Sequence, residues 1–288
     1  MDFSDLVTKG YLVVRSFLNE NEIQTLIDDF NRVGLPTDLT HGQPYGKVSY
    51  ECQLVIYKTL LKAINQIREE KILDIDFFMP GGGYISTKNV KYKWHQDHES
   101  YYIFQQTFNH LNFWIPIIKP DPKLTGVSIV PYDILEKMAP NHVDAIRGRG
   151  ALIYNPDPVT NTTKVIDQED DLTWVLPIDI DSIAIAPELN PGDLLLLRGD
   201  IIHRTQDSLT DRTAVSFRAV SGSSVISKDK MFHSGCSHKR NLMLKNSEYY
   251  AWVLQQFNLL GKNKITALDL YADIINHPVL PNLTDQGN

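Results

Sequence analysis

His95 and Asp97 stand two residues apart in the run Trp94-His95-Gln96-Asp97. On an extended strand, side chains i and i+2 share a face, about 6.6 Å apart along the backbone at ~3.3 Å per residue. An imidazole and a carboxylate placed so can converge on one cation. His203, in Ile201-Ile202-His203, follows the apolar run Leu194-Leu195-Leu196-Leu197 and can supply a third ligand from a neighbouring strand. Two histidines and one carboxylate, with other positions left open, suit a non-haem iron(II) site. The His-x-Asp spacing is cheap on its own, because His142-Val143-Asp144 repeats it in a polar stretch where helix or loop geometry separates the two side chains. The competing reading of His95 and Asp97 is a solvated strand end whose polar groups bond to neighbours.

Nine residues beyond His203 an alternating segment begins, Arg212-Thr213-Ala214-Val215-Ser216-Phe217-Arg218. Period-two geometry puts Arg212, Ala214, Ser216 and Arg218 on one face. If that face lines a barrel, Arg212 is a buried cation and needs a partner. Its guanidinium fork matches a carboxylate through two parallel hydrogen bonds. A dicarboxylate ligand could offer one, and so could an acidic side chain such as Asp211. A second donor cluster, His233, Cys236 and His238, has atoms that suit zinc. No fourth ligand is evident there, and a polar connector is the alternative.

The elements that must position these groups read as helices around a middle run of strands. Residues 11–14 are short, β-branched and apolar, and imply a strand. Asn19 offers an N-cap, and Ile23, Leu26, Ile27 and Phe30 behind it form a helical stripe. Leu60, Leu61, Ile64 and Ile67 form another, within a helix over about 51–70. Strands are expected near 77–78, 84–86, 92–97, 111–118, 127–130, 151–154, 183–186, 194–197 and 213–220, with Asn190-Pro191-Gly192-Asp193 as a turn. Helices return at the C-terminal side, one ending at Gly261 and one over 267–276 before Pro278. Residues 155–171 carry five acids against Lys164 alone and read as a long loop, either a lid, a binding loop or a disordered segment. Gly81-Gly82-Gly83 by itself is weak evidence for a phosphate-cradling loop.

The chain of 288 residues is long enough for one large core, and its formal charge of -7 argues against a nucleic-acid partner, which calls for a basic surface. Two cysteines, Cys52 and Cys236, make a disulfide framework implausible and point to a reducing compartment. No run approaches the roughly 20 apolar residues that span a bilayer. A cytoplasmic protein without a membrane partner is expected.

Several segments together resemble the phytanoyl-CoA dioxygenase family. They are Gly10-Tyr11-Leu12-Val13-Val14 before the Asn19-led helix, Trp94-His95-Gln96-Asp97, Asn112-Phe113-Trp114-Ile115-Pro116, and Pro191-Gly192-Asp193-Leu194 leading to His203 and Arg212. The resemblance spans roughly residues 8–220 and implies a double-stranded β-helix (jelly roll) of α+β class, mainly β, with flanking helices. As one domain over 1–288, it divides into a helical part at 1–75, a jelly-roll core at 76–222 and C-terminal helices at 240–280. It further implies Fe(II) held by His95, Asp97 and His203, and 2-oxoglutarate as co-substrate with O2. Arg212 matches the arginine that holds the distal carboxylate of 2-oxoglutarate. Trp114 matches an aromatic beside the co-substrate, though a core strand Trp is the other reading, and Asn112 and Ser216 could donate hydrogen bonds to it.

The implied activity is hydroxylation of a small molecule with release of succinate and CO2, since related halogenases lack a carboxylate at the place of Asp97. His98, Glu99, Tyr101 and Tyr102 follow the metal pair and could line a substrate pocket, or else form an ordinary polar strand end. The family's Pro-Gly-Ser-His loop is replaced by Pro131-Tyr132-Asp133-Ile134, so the substrate does not transfer with the resemblance. The alternative in another class is a non-catalytic jelly-roll module that binds a small ligand.

Overall fold

Asn19 starts the first long helix through a reciprocal cap, in which its Oδ1 accepts from Glu22 N at 3.0 Å while the Glu22 carboxylate accepts from Asn19 N at 2.9 Å. The structure, a computed structural model, describes residues 3–36, 46–71, 73–88, 91–97, 110–170, 172–206, 210–232, 240–241, 243–244 and 247–275. The helices are α1 (Ser4–Thr8), α2 (Glu20–Val33), α3 (Tyr50–Glu69), α4 (Tyr132–Met138), α5 (Pro140–Val143), α6 (Lys228–Phe232), α7 (Ser247–Leu260) and α8 (Ala267–Ile275). The strands are β1 (Tyr11–Val14), β2 (Gly46–Lys47), β3 (Phe77–Ser86), β4 (His110–Ile118), β5 (Val127–Val130), β6 (Leu152–Asp157), β7 (Thr162–Asp167), β8 (Thr173–Leu176), β9 (Leu194–Arg198), β10 (Ile202–Thr205), β11 (Thr213–Val220), β12 (Val225–Ser227) and β13 (Lys264–Thr266).

Six strands form an antiparallel sheet in the order β1-β9-β4-β11-β3-β2. Its outer face carries Phe113, Ile115, Leu194, Leu196, Val215 and Phe217, which pack in one buried cluster with Leu26 of α2 and Ile56, Leu60, Ile64 and Ile67 of α3. Leu195 and Leu197 point the other way and join Trp114, Ala214, Val127 and Ile129 in a second cluster. Both faces of β9 are therefore covered, which explains a run of four leucines where a half-exposed strand would alternate. Asp29 ties the helix layer to the sheet, accepting from Ser49 N at 2.9 Å and Tyr84 Oη at 2.8 Å.

The opposing sheet is assembled around the His95 segment. Backbone N–H groups of His95 and His203 each donate to the other's carbonyl at 3.0 Å, and Gln96 N donates to Leu152 O at 2.9 Å. The segment 94–97 thus lies between the pair β5-β10 and the three-stranded unit β6-β7-β8.

Several expectations change. Of the expected loop at 155–171, residues 155–170 are not a loop, because they complete β6 and form all of β7, and residue 171 lies outside the described residues. Thr163 and Val165 are buried on alternate positions, while Asp157 and Asp167 end their strands and Glu169 and Asp170 lie in the turn that follows. Asp157 accepts from Val159 N at 2.9 Å, and Asp167 accepts from Glu169 N at 2.8 Å and from Arg149 Nη1 at 2.8 Å. These carboxylates terminate strands instead of forming a charged lid. The predicted strands at 77–78 and 84–86 are one strand through Gly81, Gly82 and Gly83, so no phosphate loop exists there. Gly82 is required, because a Cβ on it would lie 2.4 Å from the Phe217 ring. Residues 92–97 pair through two isolated bridges at His95 and residues 183–186 through one at Ile185, and β7 and β8 were not foreseen.

Candidate functional site

His95, Asp97 and His203 converge, with ligand atoms all within 4.8 Å of one another. Asp97 Oδ1 lies 3.6 Å from Nε2 of both histidines, and the two imidazole centroids are 4.4 Å apart. The orientation is enforced from behind. His95 Nδ1 bonds the Lys93 carbonyl at 2.7 Å, and His203 Nδ1 bonds the Ile201 carbonyl at 3.0 Å. Each contact keeps the proton on Nδ1 and leaves the Nε2 lone pair facing the shared centre, the arrangement a metal-binding histidine needs. Among the described residues no other three His, Cys, Asp or Glu side chains gather in this way. His142 and Asp144 do not join any such group.

The three groups are nearly enclosed, at 7–9% exposure, so their charge states follow from burial and from one another. Burial, reinforced by the neighbouring His95 ring, pushes His203 down to about 4 although Asp97 favours its charged form. Burial would raise Asp97, but the adjoining His203 and His95 rings and the nearby Arg218 cation hold it well below the usual carboxylate range. At neutral pH His203 therefore presents a neutral imidazole and Asp97 an ionised carboxylate, which are forms that ligate a divalent cation.

β11 sends its inward face toward this cluster. Arg212 is 2% exposed, and its side chain donates from Nε to Thr125 O and from Nη1 to Ile85 O, both at 3.1 Å. Its guanidinium carbon sits 4.8 Å from the centroid of the Trp114 ring. Trp114 is thus a buried strand residue that also forms the aromatic floor beneath this cation. Among the described residues no carboxylate pairs with Arg212, since Asp211 lies against Lys88 at 3.4 Å. Burial pushes Arg212 down to about 10. A buried cation held by carbonyls and a π face, with no carboxylate partner among the described residues, is suited to an anionic ligand.

Ser216 and Asn112 share the same face, but they bond to each other, Ser216 Oγ donating to Asn112 Oδ1 at 2.7 Å. Arg218 Nη1 donates to Asn112 Oδ1 at 2.8 Å and also contacts Ser216 Oγ. Arg218 was not singled out from the sequence as a site residue, although the period-two pattern had placed it on this face. Tyr92 was also missed, and its ring centroid lies 5.6 Å from that of His95. His98, Glu99, Tyr101 and Tyr102 lie outside the described residues, as do His233, Cys236 and His238.

No family model matches the chain, and no curated protein matches its sequence. Solved structures do match. One is EctD from S. alaskensis with 2-oxoglutarate and 5-hydroxyectoine, at TM-score 0.51 and 11% identity, covering 80% of this chain and 79% of that one. The fold is a double-stranded β-helix. Two further matches are the non-heme alpha ketoglutarate dependent carbocyclase SnoK from nogalamycin biosynthesis, at TM-score 0.49 and 11% identity over 76% of this chain and 83% of that chain, and HygX from Streptomyces hygroscopicus with nickel, 2-oxoglutarate and hygromycin B, at 0.45 and 13% over 76% and 87%. In this double-stranded β-helix the chain passes between the facing sheets from β3 to β11. Residues 131–182 form an excursion between β5 and Ile185, and its strands β6–β8 extend the second sheet beside the His95 segment.

Proposed function

We propose that this chain is an Fe(II)- and 2-oxoglutarate-dependent dioxygenase that hydroxylates a small-molecule substrate. The balanced reaction converts substrate C–H, 2-oxoglutarate and O2 into substrate C–OH, succinate and CO2. The carrying observation is a buried two-histidine, one-aspartate cluster together with a buried arginine that has no acidic partner among the described residues, on the same strand face as the Arg218 that neighbours Asp97. His95, Asp97 and His203 would hold Fe(II), with Arg212 gripping the distal carboxylate of 2-oxoglutarate over the Trp114 ring. Iron, when bound, supplies the activation of dioxygen that side chains lack. The chain's own groups orient and enclose. The Lys93 and Ile201 carbonyls fix the imidazoles, Asp97 supplies the negative charge, and Arg212 sets the direction from which the co-substrate enters.

On the motifs quoted above we assign the chain to the phytanoyl-CoA dioxygenase family, as a single catalytic domain over 1–288. Asp97 itself favours hydroxylation over halogenation, because its carboxylate fills the place a halide would need. Two cysteines, with Cys52 buried and its thiol pushed up to about 11 chiefly by burial, suit a reducing compartment such as the cytoplasm. The test is succinate release from 2-oxoglutarate by purified protein with Fe(II), ascorbate and a metabolite library. Substrate-stimulated succinate with a matching hydroxylated product is expected. A binding-only module would form neither product.

A further inference from the structure

Gln96, between the two ligands on the segment, faces away from the cavity and is fully buried. Its Nε2 reaches three acceptors, the Tyr132 hydroxyl at 3.1 Å, the Ile146 carbonyl at 3.1 Å and the Asp200 carbonyl. Its Oε1 accepts from the Tyr154 hydroxyl at 3.1 Å. One amide thereby touches four separate pieces of chain, namely the start of α4, the stretch after α5, the β9–β10 turn and β6.

The Asp200 contact matters most, because Asp200 lies three residues before His203 in the turn that delivers β10. That turn is itself immobilised. Tyr132 Oη donates to Asp200 O at 2.7 Å, the Asp200 carboxylate accepts from Arg198 and from Gly148 N at 2.8 Å, and Arg198 Nη1 reaches the Leu6 and Val7 carbonyls at 3.1 and 3.0 Å. Tyr132 is held between two guanidinium groups, those of Arg147 and Arg198, at 5.1 and 5.0 Å.

We infer that Gln96 is a positioning residue that staples the segment carrying His95 and Asp97 to the turn carrying His203, and so sets the geometry of the metal centre from its outer side. The inference rests on the metal reading of the three ligands. The physical reason is strand alternation: with His95 and Asp97 directed at the shared centre, the side chain of the residue between them points to the packed layer behind and anchors the backbone of both ligands there. The mutual backbone bonds of His95 and His203 align the strands, but they leave twist and slide to be fixed by side chains. A buried network does this, because the two amide hydrogens of Gln96 are shared among three acceptors that the packed layer holds in place.

The test measures Co(II) affinity and the Co(II) visible spectrum of the full chain, with melting temperature alongside. Partners behind metal ligands typically contribute about 10- to 100-fold in affinity. Gln96→Met, similar in length and without polar atoms, should weaken Co(II) binding by about that factor and alter the ligand-field bands. Ile64→Ala, in the remote helix layer, supplies a comparable loss of melting temperature and should leave both readouts unchanged. Tyr132→Phe keeps Gln96 and removes one of its acceptors, so it should show a smaller shift of the same kind, and it decides the matter should Gln96→Met not fold. Wild-type affinity and spectrum in the folded variants, or losses that merely track melting temperature in all three, would overturn the inference. Failure of the metal reading looks different, since wild-type protein and Asp97→Ala would then bind Co(II) equally weakly.

Discussion

Replacing Arg212 by Met separates its structural role from its proposed role as a carboxylate clamp. Burial pushes the guanidinium down to about 10, and at 1.36 kcal/mol per decade this corresponds to about 3 kcal/mol of cost to the charged form. The sign is fixed by linkage: the group is charged in both folded and unfolded chains at neutral pH, so the cost is fully present there and fades only above pH 10. Opposing it are the bonds to the Thr125 and Ile85 carbonyls, each about 1.5–3 kcal/mol for a charged donor. The two contributions partly offset, so ligand-free Arg212→Met should fall within about 3 kcal/mol of wild type. Binding should respond very differently. Losing one partner of a buried charge pair costs about 2–5 kcal/mol, or roughly 30- to 3,000-fold in Kd for 2-oxoglutarate. Calorimetry on protein loaded with a redox-inert divalent ion reads this directly. Wild type should also gain about 2.7 kcal/mol at 100 times Kd, a melting shift of about 5–10 °C that the variant lacks at the same concentration. A 2-oxoglutarate Kd in the variant within threefold of wild type would refute the clamp.

Three further outcomes follow from the same contacts. Asp97→Ala should keep the wild-type far-ultraviolet spectrum and lose at least about 100-fold in divalent-metal affinity, because it removes the one charged ligand and leaves two neutral imidazoles. Gly82→Ala places a methyl 2.4 Å from the Phe217 ring, and should lower stability by about 1–3 kcal/mol in a urea melt. Lys119, buried beside Arg212 with its ammonium donating to the Pro122 and Leu189 carbonyls, is pushed down to about 8, chiefly by burial. Its charged form is disfavoured only in the folded chain, so stability should rise as pH climbs from 8 toward the ordinary lysine value. Lys119→Met should flatten that rise in denaturant melts between pH 7.5 and 9.5.

The parts of the architecture legible in the sequence are those whose causes are local. Asn19 and Glu22 form their cap within one turn, and Val127–Val130 and Thr213–Val220 show their strands through apolar or alternating runs. The acidic stretch misled because composition reports solubility and not pairing. Asp157 and Asp167 are turn-makers, and the strand between them is recognisable only once Val165 meets Tyr154 across the hairpin. The convergence of His95, Asp97 and His203 and the burial of Arg212 were legible because strand period constrains which side chains share a face. Gln96 was not, since a glutamine flanked by two ligands carries no signal until its four partners, drawn from residues 132, 146, 154 and 200, are brought together by the fold. Arg218 shows the reverse, a residue placed on the right face by period two whose nearness to Asp97 depends on how the two sheets stack.

An anaerobic crystal grown with Fe(II) and 2-oxoglutarate reaches the central claim most directly. Anomalous scattering at the iron edge should place one ion bonded to Nε2 of His95, Nε2 of His203 and a carboxylate oxygen of Asp97, with 2-oxoglutarate extending from it to the Arg212 guanidinium. Iron bound elsewhere, or co-substrate density that leaves Arg212 untouched, would contradict it.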